Sequence, residues 1–585
     1  MERIIESCFP YREVSQLVKR ELRNPRPYQR IHPWPGRLPG VLFRALILAS
    51  LLSRDELGRF WRLLRSAGKS DVGKGRVLLD PFAGSGTSLV EALSLGMKVV
   101  GVEVNSVAWL ITRNTLIPAK LSEVERAAEA VAERVRPLVW RLYATRVDGR
   151  RVAAKAFFWV RTVHCESCGS EVRLFKTYKL ARVGSRVWVF CPRCRTVFFT
   201  KDGGELACPR CGEVLEPVSW GRFYRCLRCG HVGAVAEAAR KSGGAGMELF
   251  AVMYRVDERD RVKAADDWDL ERYREAEKLA EKVPEGFLRL ELRYGEETSR
   301  VLSYGYRYVR ELFNARQLVV LHALAEAIAG LRGEARRLLA LALSKAAAFS
   351  TVLTPYTYVA RKPESSFALH QYMFEKMYME INLLERVRGS FLSSVKHLLE
   401  AKEYVRKVVG RVRVSASLDG ADASLLVQPA QELELPPSSV DLVVTDPPHF
   451  GNVVNSGIAD FHFAVLKHLL ERDFAEFRRE SSCRDEEEIV FDPMRGKGAE
   501  FYERELTRAF TRAAAALKPE GLFVVVFRHR EKEAWEILRS ALEEAGLEVV
   551  REWPLDLENY PQPQAKSGTG VQSAALVCRR AYKPS

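Results

Sequence analysis

Thr445-Asp446-Pro447-Pro448-His449-Phe450 directly follows the apolar run VDLVV and sets strong hydrogen-bond acceptors beside aromatic rings. An exocyclic amine on adenine or cytosine is a poor nucleophile, because its lone pair is conjugated into the ring. If the Asp446 carboxylate and the Pro447 carbonyl accept both amino hydrogens, the nitrogen becomes more tetrahedral and its lone pair is freed. These acceptors gain strength as positive charge builds on the nitrogen, which is what catalysis requires. Consecutive prolines fix φ and hold that carbonyl in place. An aromatic beside them can stack on a base taken out of a helix. Asp446, Pro447, Pro448, His449 and Phe450 are therefore the expected catalytic turn. A DPP segment standing alone would be no more than a proline-stiffened strand exit.

A second constellation makes the first more specific. Asp80-Pro81-Phe82-Ala83-Gly84-Ser85-Gly86-Thr87 follows the apolar run VLLD and opens a helical stretch. Gly84 and Gly86 let backbone approach a ligand closely. The third glycine of the dinucleotide fingerprint is missing, and no GK[ST] follows, so NAD, FAD and a phosphate-cradling ATPase loop are disfavoured. Asp80 at the strand's end suits a ligand ammonium or the loop itself. Glu103 ends the next strand, where an acid takes ribose hydroxyls. An amino group plus a ribose without phosphate describes S-adenosylmethionine. Its expected contacts are Asp80, Phe82, Ala83, Gly84, Ser85, Gly86, Thr87, Glu103 and Asn105.

Eight of the eleven cysteines form four CxxC pairs: Cys165/Cys168, Cys191/Cys194, Cys208/Cys211 and Cys226/Cys229. Two residues between thiolates suit two ligands converging on one tetrahedral Zn²⁺. Glycine follows three of the four pairs and lets backbone amides turn toward sulfur. Four pairs make two closed, structural Cys₄ sites, for zinc or an iron equivalent. Thiol redox chemistry needs one pair, not four. Consecutive pairing of the knuckles is the preferred expectation; nesting, with the outer pairs sharing one metal, is the alternative. Cys8, Cys483 and Cys578 stand alone and read as small buried residues.

The elements that must position these groups alternate in an α/β manner. VLLD (77–80), the glycine turn, SLVEALSLG and KVVGVE (98–103) read as strand, turn, helix, strand, the first half of a doubly wound nucleotide-binding unit. Strand-like runs return at 440–445 and 521–527, with helices at 500–518 and 532–546, implying a parallel sheet. Between these halves lie a charged Ala-rich stretch (120–148), the cysteine region with short β-like runs such as RVWVF and RFYRC, and a mostly helical pattern from 255 to 405. The expected layout is 1–125 and 406–585 as the two parts of one α/β domain. Between them come a helical connector at 126–160, tandem ribbons at 161–235 and a helical insertion at 236–405. The chain has 585 residues, 47% hydrophobic and 28% charged, which excludes wholesale disorder. Lys plus Arg is 91 against 75 Asp plus Glu, a net charge of +16 that favours a polyanionic partner, nucleic acid first. An Arg-rich, heat-adapted surface would give a similar balance. No apolar stretch is long enough for a membrane-spanning helix. The N-terminus lacks the apolar core of a signal peptide, so a cytoplasmic protein is expected. The sequence names no protein partner.

The DPP turn and the glycine loop together resemble the amino-methyltransferases, which carry DPPY or NPPY with an FxGxG loop. Their order, glycine loop first and DPP last, is similar to the alpha order of the DNA amino-methyltransferases. The chain as a whole resembles the adenine-specific DNA methylases containing a Zn-ribbon. The likeness includes HPWPGRLPGVLFRALIL (32–48), similar to the helix beside the cofactor's methionine end, as well as ELFNARQLVVLHALAEAI, FEKMYMEINLL and DPPHFGNVVNSGIADFHF. It implies a Rossmann-like class I methyltransferase domain split by a zinc-ribbon and helical insertion that serves target recognition. It also implies methyl transfer from S-adenosylmethionine to an exocyclic base amine, adenine in DNA first, with two structural Zn²⁺ ions. An RNA base methyltransferase and an adaptor that has lost catalysis are the alternatives. Two positions depart from the pattern. His449 occupies the usual aromatic place of DPPY, and Gln428-Pro429 stands where such enzymes often carry an acid near the cofactor's adenine.

Three further groups have competing readings. Tyr304, Tyr306, Tyr308, Phe313, Arg316 and Gln317 could grip a nucleic-acid strand or be core at helical spacing. His529 could border the target pocket or lie at the surface. Arg193, Arg210 and Arg228, inside the metal knuckles, could contact phosphates or merely decorate a scaffold.

Overall fold

The computed structural model describes residues 2–66, 68–257, 259–367, 371–385, 387–417, 420–451, 455–557 and 572–581. The chain forms two compact units. One comprises Met1–Ser122, His397–Phe463 and Glu471–Ser585; the other comprises Glu123–Lys396 and Ala464–Leu470.

The first unit is built on an eight-stranded sheet. Its strands are β1 (Val77–Asp80), β2 (Lys98–Val102), β3 (Val414–Ser415), β4 (Ala423–Leu426), β5 (Val440–Thr445), β6 (Leu517–His529), β7 (Leu547–Pro554) and β8 (Gln572–Arg580). Their spatial order is β3-β4-β2-β1-β5-β6-β8-β7. Strands β3 to β6 run parallel through β2 and β1, and only β8 enters antiparallel, between β6 and β7. The central strands are short and almost wholly apolar because both faces are covered. The helix Ala499–Ala516 shows how one face is covered. It buries Tyr502, Leu506, Ala509, Phe510 and Ala513, a stripe at helical spacing. The order turns at β1, which has β2 on one side and β5 on the other. Register pairs Leu79 with both Val100 and Val443, so β1 and β5 end side by side. A crevice at that switch point is where open α/β sheets bind ligands.

The second unit carries more strand than its sequence suggests. Its main sheet runs Arg259–Ala264, Gly246–Val256, Arg150–His164, Met377–Ile381 and is antiparallel. The stretch 126–160, expected as a helical connector, is helical only as far as Leu142, and its last residues run with the start of the ribbon region in one 15-residue strand, Arg150–His164. Residues Ala156 to Val163 are buried consecutively, so the alternation that marks a half-exposed strand is absent. The helical reading of 236–405 likewise holds only for segments such as Asp267–Ala280, Ala315–Ala329 and Gly333–Ala347. Two three-stranded antiparallel sheets, Lys179–Lys201 and Ser219–Ala234 in extent, hold Cys191/Cys194 and Cys226/Cys229 in their connections. Among the described residues no helix is long and apolar enough to cross a membrane.

Candidate active site and metal centres

A crevice at the carboxyl ends of β1, β2 and β5 brings the two sequence motifs together. It is lined by Asp80, Phe82, Ala83, Gly84, Ser85, Thr87, Glu103 and Asn105 from the first motif, and by Asp446, Pro447, Pro448 and His449 from the second. Trp34 and Arg37, from the loop before the helix Gly40–Leu51, close another side. Gly86 and Phe450 are not in the lining.

The glycine loop is held by its own strand ends. The Asp80 carboxylate accepts hydrogen bonds from Phe82 N (3.1 Å), Thr445 Oγ1 (2.7 Å) and Ser88 Oγ. Burial pushes this acid up to about 6, against those three donors. Glu103 accepts from Gly84 N and Asn105 N, both at 2.8 Å, one on each oxygen. Each oxygen accepts one bond and keeps capacity for a second, and Glu103 lines the crevice. Burial pushes Glu103 up to about 7. Gly84 and Gly86 have φ of +51° and +77°, and a Cβ at Gly86 would stand 2.7 Å from Thr112 Cγ2. A Cβ at Gly84 would lie 3.2 Å from the Trp34 indole nitrogen. The loop is thus shaped around the crevice and tolerates no side chain at its turn. Arg37 donates from Nε to Ser85 Oγ at 2.6 Å. Asn105 lines the crevice, but its side chain is engaged: Oδ1 caps the helix Ser106–Leu116, and Nδ2 donates to Ser482.

The DPP turn divides its polar groups into tied and open ones. Tyr502 donates its hydroxyl to the Pro448 carbonyl. His529 Nε2 lies 2.6 Å from the Phe450 carbonyl, while its Nδ1 accepts from Glu531 N at 3.0 Å. A backbone N–H can only donate, so Nδ1 is the acceptor and Nε2–H donates to Phe450. Among the described residues, no donor meets the Asp446 carboxylate or the Pro447 carbonyl. Burial pushes Asp446 up to about 7, opposed by the Arg528 guanidinium and reinforced by Asp80.

Two sequence expectations are altered here. Phe450 is 2% exposed and stacks on Phe491 at 4.2 Å, edge-on to Tyr502, so it is core beneath the turn and not a stacking surface in the crevice. Of the turn's two rings, His449 lines the crevice, near Gly36, and Phe450 does not. His529 is neither a pocket wall nor a surface residue but a buried tether of the turn.

Sequence reasoning missed Gln431 and the wall behind it. Gln431 is 5% exposed and lines the crevice beside Glu487, Glu488 and Ile489. Its Nε2 donates to Glu487 O at 3.2 Å, while its Oε1 is buried with no hydrogen-bond partner. The wall is fixed by Glu488 accepting from Ser456 N and Oγ, and by Arg495 bridging Asp485 and Asp492. Gln428, the position noted in the sequence, instead lies near Glu432 O, outside the lining. A polar residue three positions after the missing acid was the available signal.

The cysteines gather into two clusters, Cys165/Cys168/Cys226/Cys229 and Cys191/Cys194/Cys208/Cys211, each able to hold a metal ion. The knuckles are therefore nested, and the preferred consecutive pairing is corrected. Cys191 and Cys194 follow the strand Arg186–Phe190 and meet Cys208 and Cys211, whereas Cys165 and Cys168 follow the strand Arg150–His164 and meet Cys226 and Cys229. Facing sulfurs are 3.7 Å apart in the first cluster and 3.6 Å in the second. A tetrahedron with metal–sulfur bonds of about 2.3 Å has edges of about 3.8 Å, so the spacing fits a zinc-sized site. Each knuckle repeats one backbone turn, with the first Cys N–H bonded to a carbonyl five residues on. The residue after the second cysteine takes positive φ: Gly169, Gly212 and Gly230, but Arg195 at +53° in the FCPRCR knuckle.

The remaining candidates resolve toward core or pairing. Arg316 and Gln317 are fully buried, and Arg316 Nε lies 3.0 Å from Glu380. Tyr304 stacks on Phe374 at 3.7 Å. Arg193 is paired with Glu213 at 2.8 Å, Arg210 donates to Thr196, and Arg228 is exposed. Cys483 and Cys578 are buried as expected, and Cys8 is partly so.

Among known proteins, a 61-residue stretch is 36% identical to the type II methyltransferase M.MvaI of Kocuria varians, covering 10% of this chain and 13% of that enzyme. A SAM-dependent methyltransferase structure from Leishmania major overlaps 27% of this chain and 47% of its own at 13% identity. Its TM-score is 0.14, too low to define a common fold. No protein-family model matches the chain.

Proposed function

We propose that the protein is an S-adenosylmethionine-dependent methyltransferase acting on the exocyclic amino group of a nucleic-acid base, adenine in DNA first. The observation that carries this reading is the division within the DPP turn. The carbonyls of Pro448 and Phe450 are tied down, whereas the Asp446 carboxylate and the Pro447 carbonyl, the two acceptors an amine needs, are open among the described residues. They share one crevice with a glycine loop and a strand-end acid suited to an amino acid and a ribose without phosphate. The segment of similarity to a type II methyltransferase supports the same reaction class.

The chain's residues fit the cofactor. Glu103 offers one free lone pair per oxygen to vicinal ribose hydroxyls, and the loop at Gly84 approaches without a side chain. The buried, unpaired Gln431 Oε1 is an acceptor for an amino group such as that of the adenine ring. S-adenosylmethionine supplies an electrophilic methyl group when bound. Asp446 and Pro447 accept the target amine's two hydrogens and stabilise the charge that grows on nitrogen. Ionised Asp446 is also placed to receive the proton the amine must lose. His449 supplies the ring beside the extruded base. The cysteine clusters hold two structural Zn²⁺ ions.

The reading is tested by incubating the protein with methyl-labelled S-adenosylmethionine and either DNA or RNA, followed by mass spectrometry of the nucleosides. Labelled N6-methyladenine in DNA is expected. Label confined to RNA would shift the substrate, and label in neither would remove the catalytic reading.

A further inference from the structure

The hairpin joining Ala144–Val147 to Arg150–His164 carries a cluster of arginines that no carboxylate pairs among the described residues. Its turn, Asp148-Gly149, has φ of +49° and +76° at its two central residues, and Val147 pairs with Arg150 across it. That is a two-residue turn whose twist matches the strands, so the hairpin is rigid. The next rung pairs Arg146 directly with Arg151. Like charges facing each other at about 5 Å on adjacent strands repel. Both side chains are exposed, as is Arg150. Among the described residues none of the three has a carboxylate within ion-pair distance. Three of the ribbon arginines differ, because Arg193, Arg195 and Arg225 pair with Glu213, Glu248 and Glu216.

Tryptophans hold these guanidinium groups in place. Arg146 lies 5.4 Å and Arg151 5.8 Å from the Trp268 ring, and Arg151 also lies 5.6 Å from Trp140, which is 44% exposed. Arg272 adds a third guanidinium over Trp268 at 5.4 Å. Arg151 spends one N–H on the Trp140 carbonyl, with Nη2 at 3.3 Å, and the remaining N–H groups of the exposed Arg146 and Arg151 guanidinium groups match phosphate oxygens. The repulsion between Arg146 and Arg151 is relieved by an anion placed between them.

The geometry points to the Arg146–Arg151 hairpin, backed by Trp140 and Trp268, as a binding site for the phosphodiester backbone of nucleic acid. The assignment rests on the nucleic-acid substrate proposed above, and moves the main phosphate contact from the metal knuckles to this hairpin. Such a contact positions the substrate without reading its sequence.

The test is the salt dependence of binding of the full chain to a fluorescent DNA duplex, read by anisotropy. R146Q/R151Q should lower the slope of log affinity against log salt by about 2, the loss expected for two phosphate contacts. R146K/R151K should keep most of that slope, and R193Q should leave it unchanged. S-adenosylmethionine binding, followed by calorimetry, should be the same in all variants. A wild-type slope in R146Q/R151Q overturns the inference while leaving the substrate class intact. Poly-glutamate competing as well as DNA assigns the hairpin to an acidic protein and also overturns it. No binding of duplex or single strand by the wild type overturns the proposed substrate class and the inference with it.

Discussion

Thr445 donates its hydroxyl to Asp80 at 2.7 Å, across 365 residues of sequence, and so ties the last residue of β5 to the last residue of β1. The bond fixes the DPP turn against the glycine loop at the switch point of the sheet. Asp80 is therefore first a clamp between two motifs. Thr445→Val should leave the sheet folded but let the turn and the loop drift apart. Removing one buried hydrogen bond to a charged acceptor costs about 2 kcal/mol. Thermal unfolding should fall by a few degrees, and any methyl transfer should fall more than cofactor binding, as calorimetry and turnover will show.

The nested metal clusters predict which cysteine variants share an ion. Zinc content should be two per chain in the wild type. Cys165→Ser combined with Cys226→Ser should still retain one ion, because both belong to one cluster. Cys165→Ser combined with Cys191→Ser should lose both. The opposite pattern in elemental analysis would restore consecutive pairing.

The pH dependence follows from two acids raised by burial, Glu103 and Asp446, each to about 7. Both must be ionised to act as full acceptors, so cofactor affinity and turnover should rise as pH goes from about 6 to 8. Stability has the opposite sign. A carboxylic acid raised in the folded state holds a proton that the unfolded chain releases near pH 4, so its contribution is complete below that and is lost as pH rises toward 7. Cofactor affinity that is flat across this range would show that Glu103 is already ionised or not a ligand.

Gln431 offers a test independent of transfer. Its Oε1 is buried without a partner, and a cofactor amino group that fills this place gains a hydrogen bond worth about 1.4 kcal/mol. Gln431→Ala should weaken S-adenosylmethionine binding about tenfold in calorimetry. Unchanged affinity would remove Gln431 from the site.

The motifs and the sheet that carries them were legible because their signals are local. VLLD and VDLVVT are short apolar runs before turn residues, and both are strands at the expected bounds. Gly84 and Gly86 line a tight turn at positive φ, a backbone shape that glycine adopts without strain. Knuckle pairing was hidden because all four CxxC motifs are alike, and only tertiary folding decides which abut. The strand Arg150–His164 was hidden because its start is Ala-rich and its middle is buried on both faces. His529 could not be placed, because its role is to donate to a carbonyl 79 residues away. Arg195 shows the same limit: its left-handed backbone is imposed by the knuckle, against its own preference.

The central claim is that the open Asp446 carboxylate activates the target amine. The direct measurement compares wild type with Asp446→Ala in two assays: calorimetric binding of S-adenosylmethionine, and labelled methyl transfer to adenine in DNA. Binding should be nearly equal, while transfer should fall at least a hundredfold, about 3 kcal/mol for one lost transition-state acceptor. Asp446→Asn, which keeps an acceptor oxygen, should retain more. Full transfer by Asp446→Ala would contradict the account.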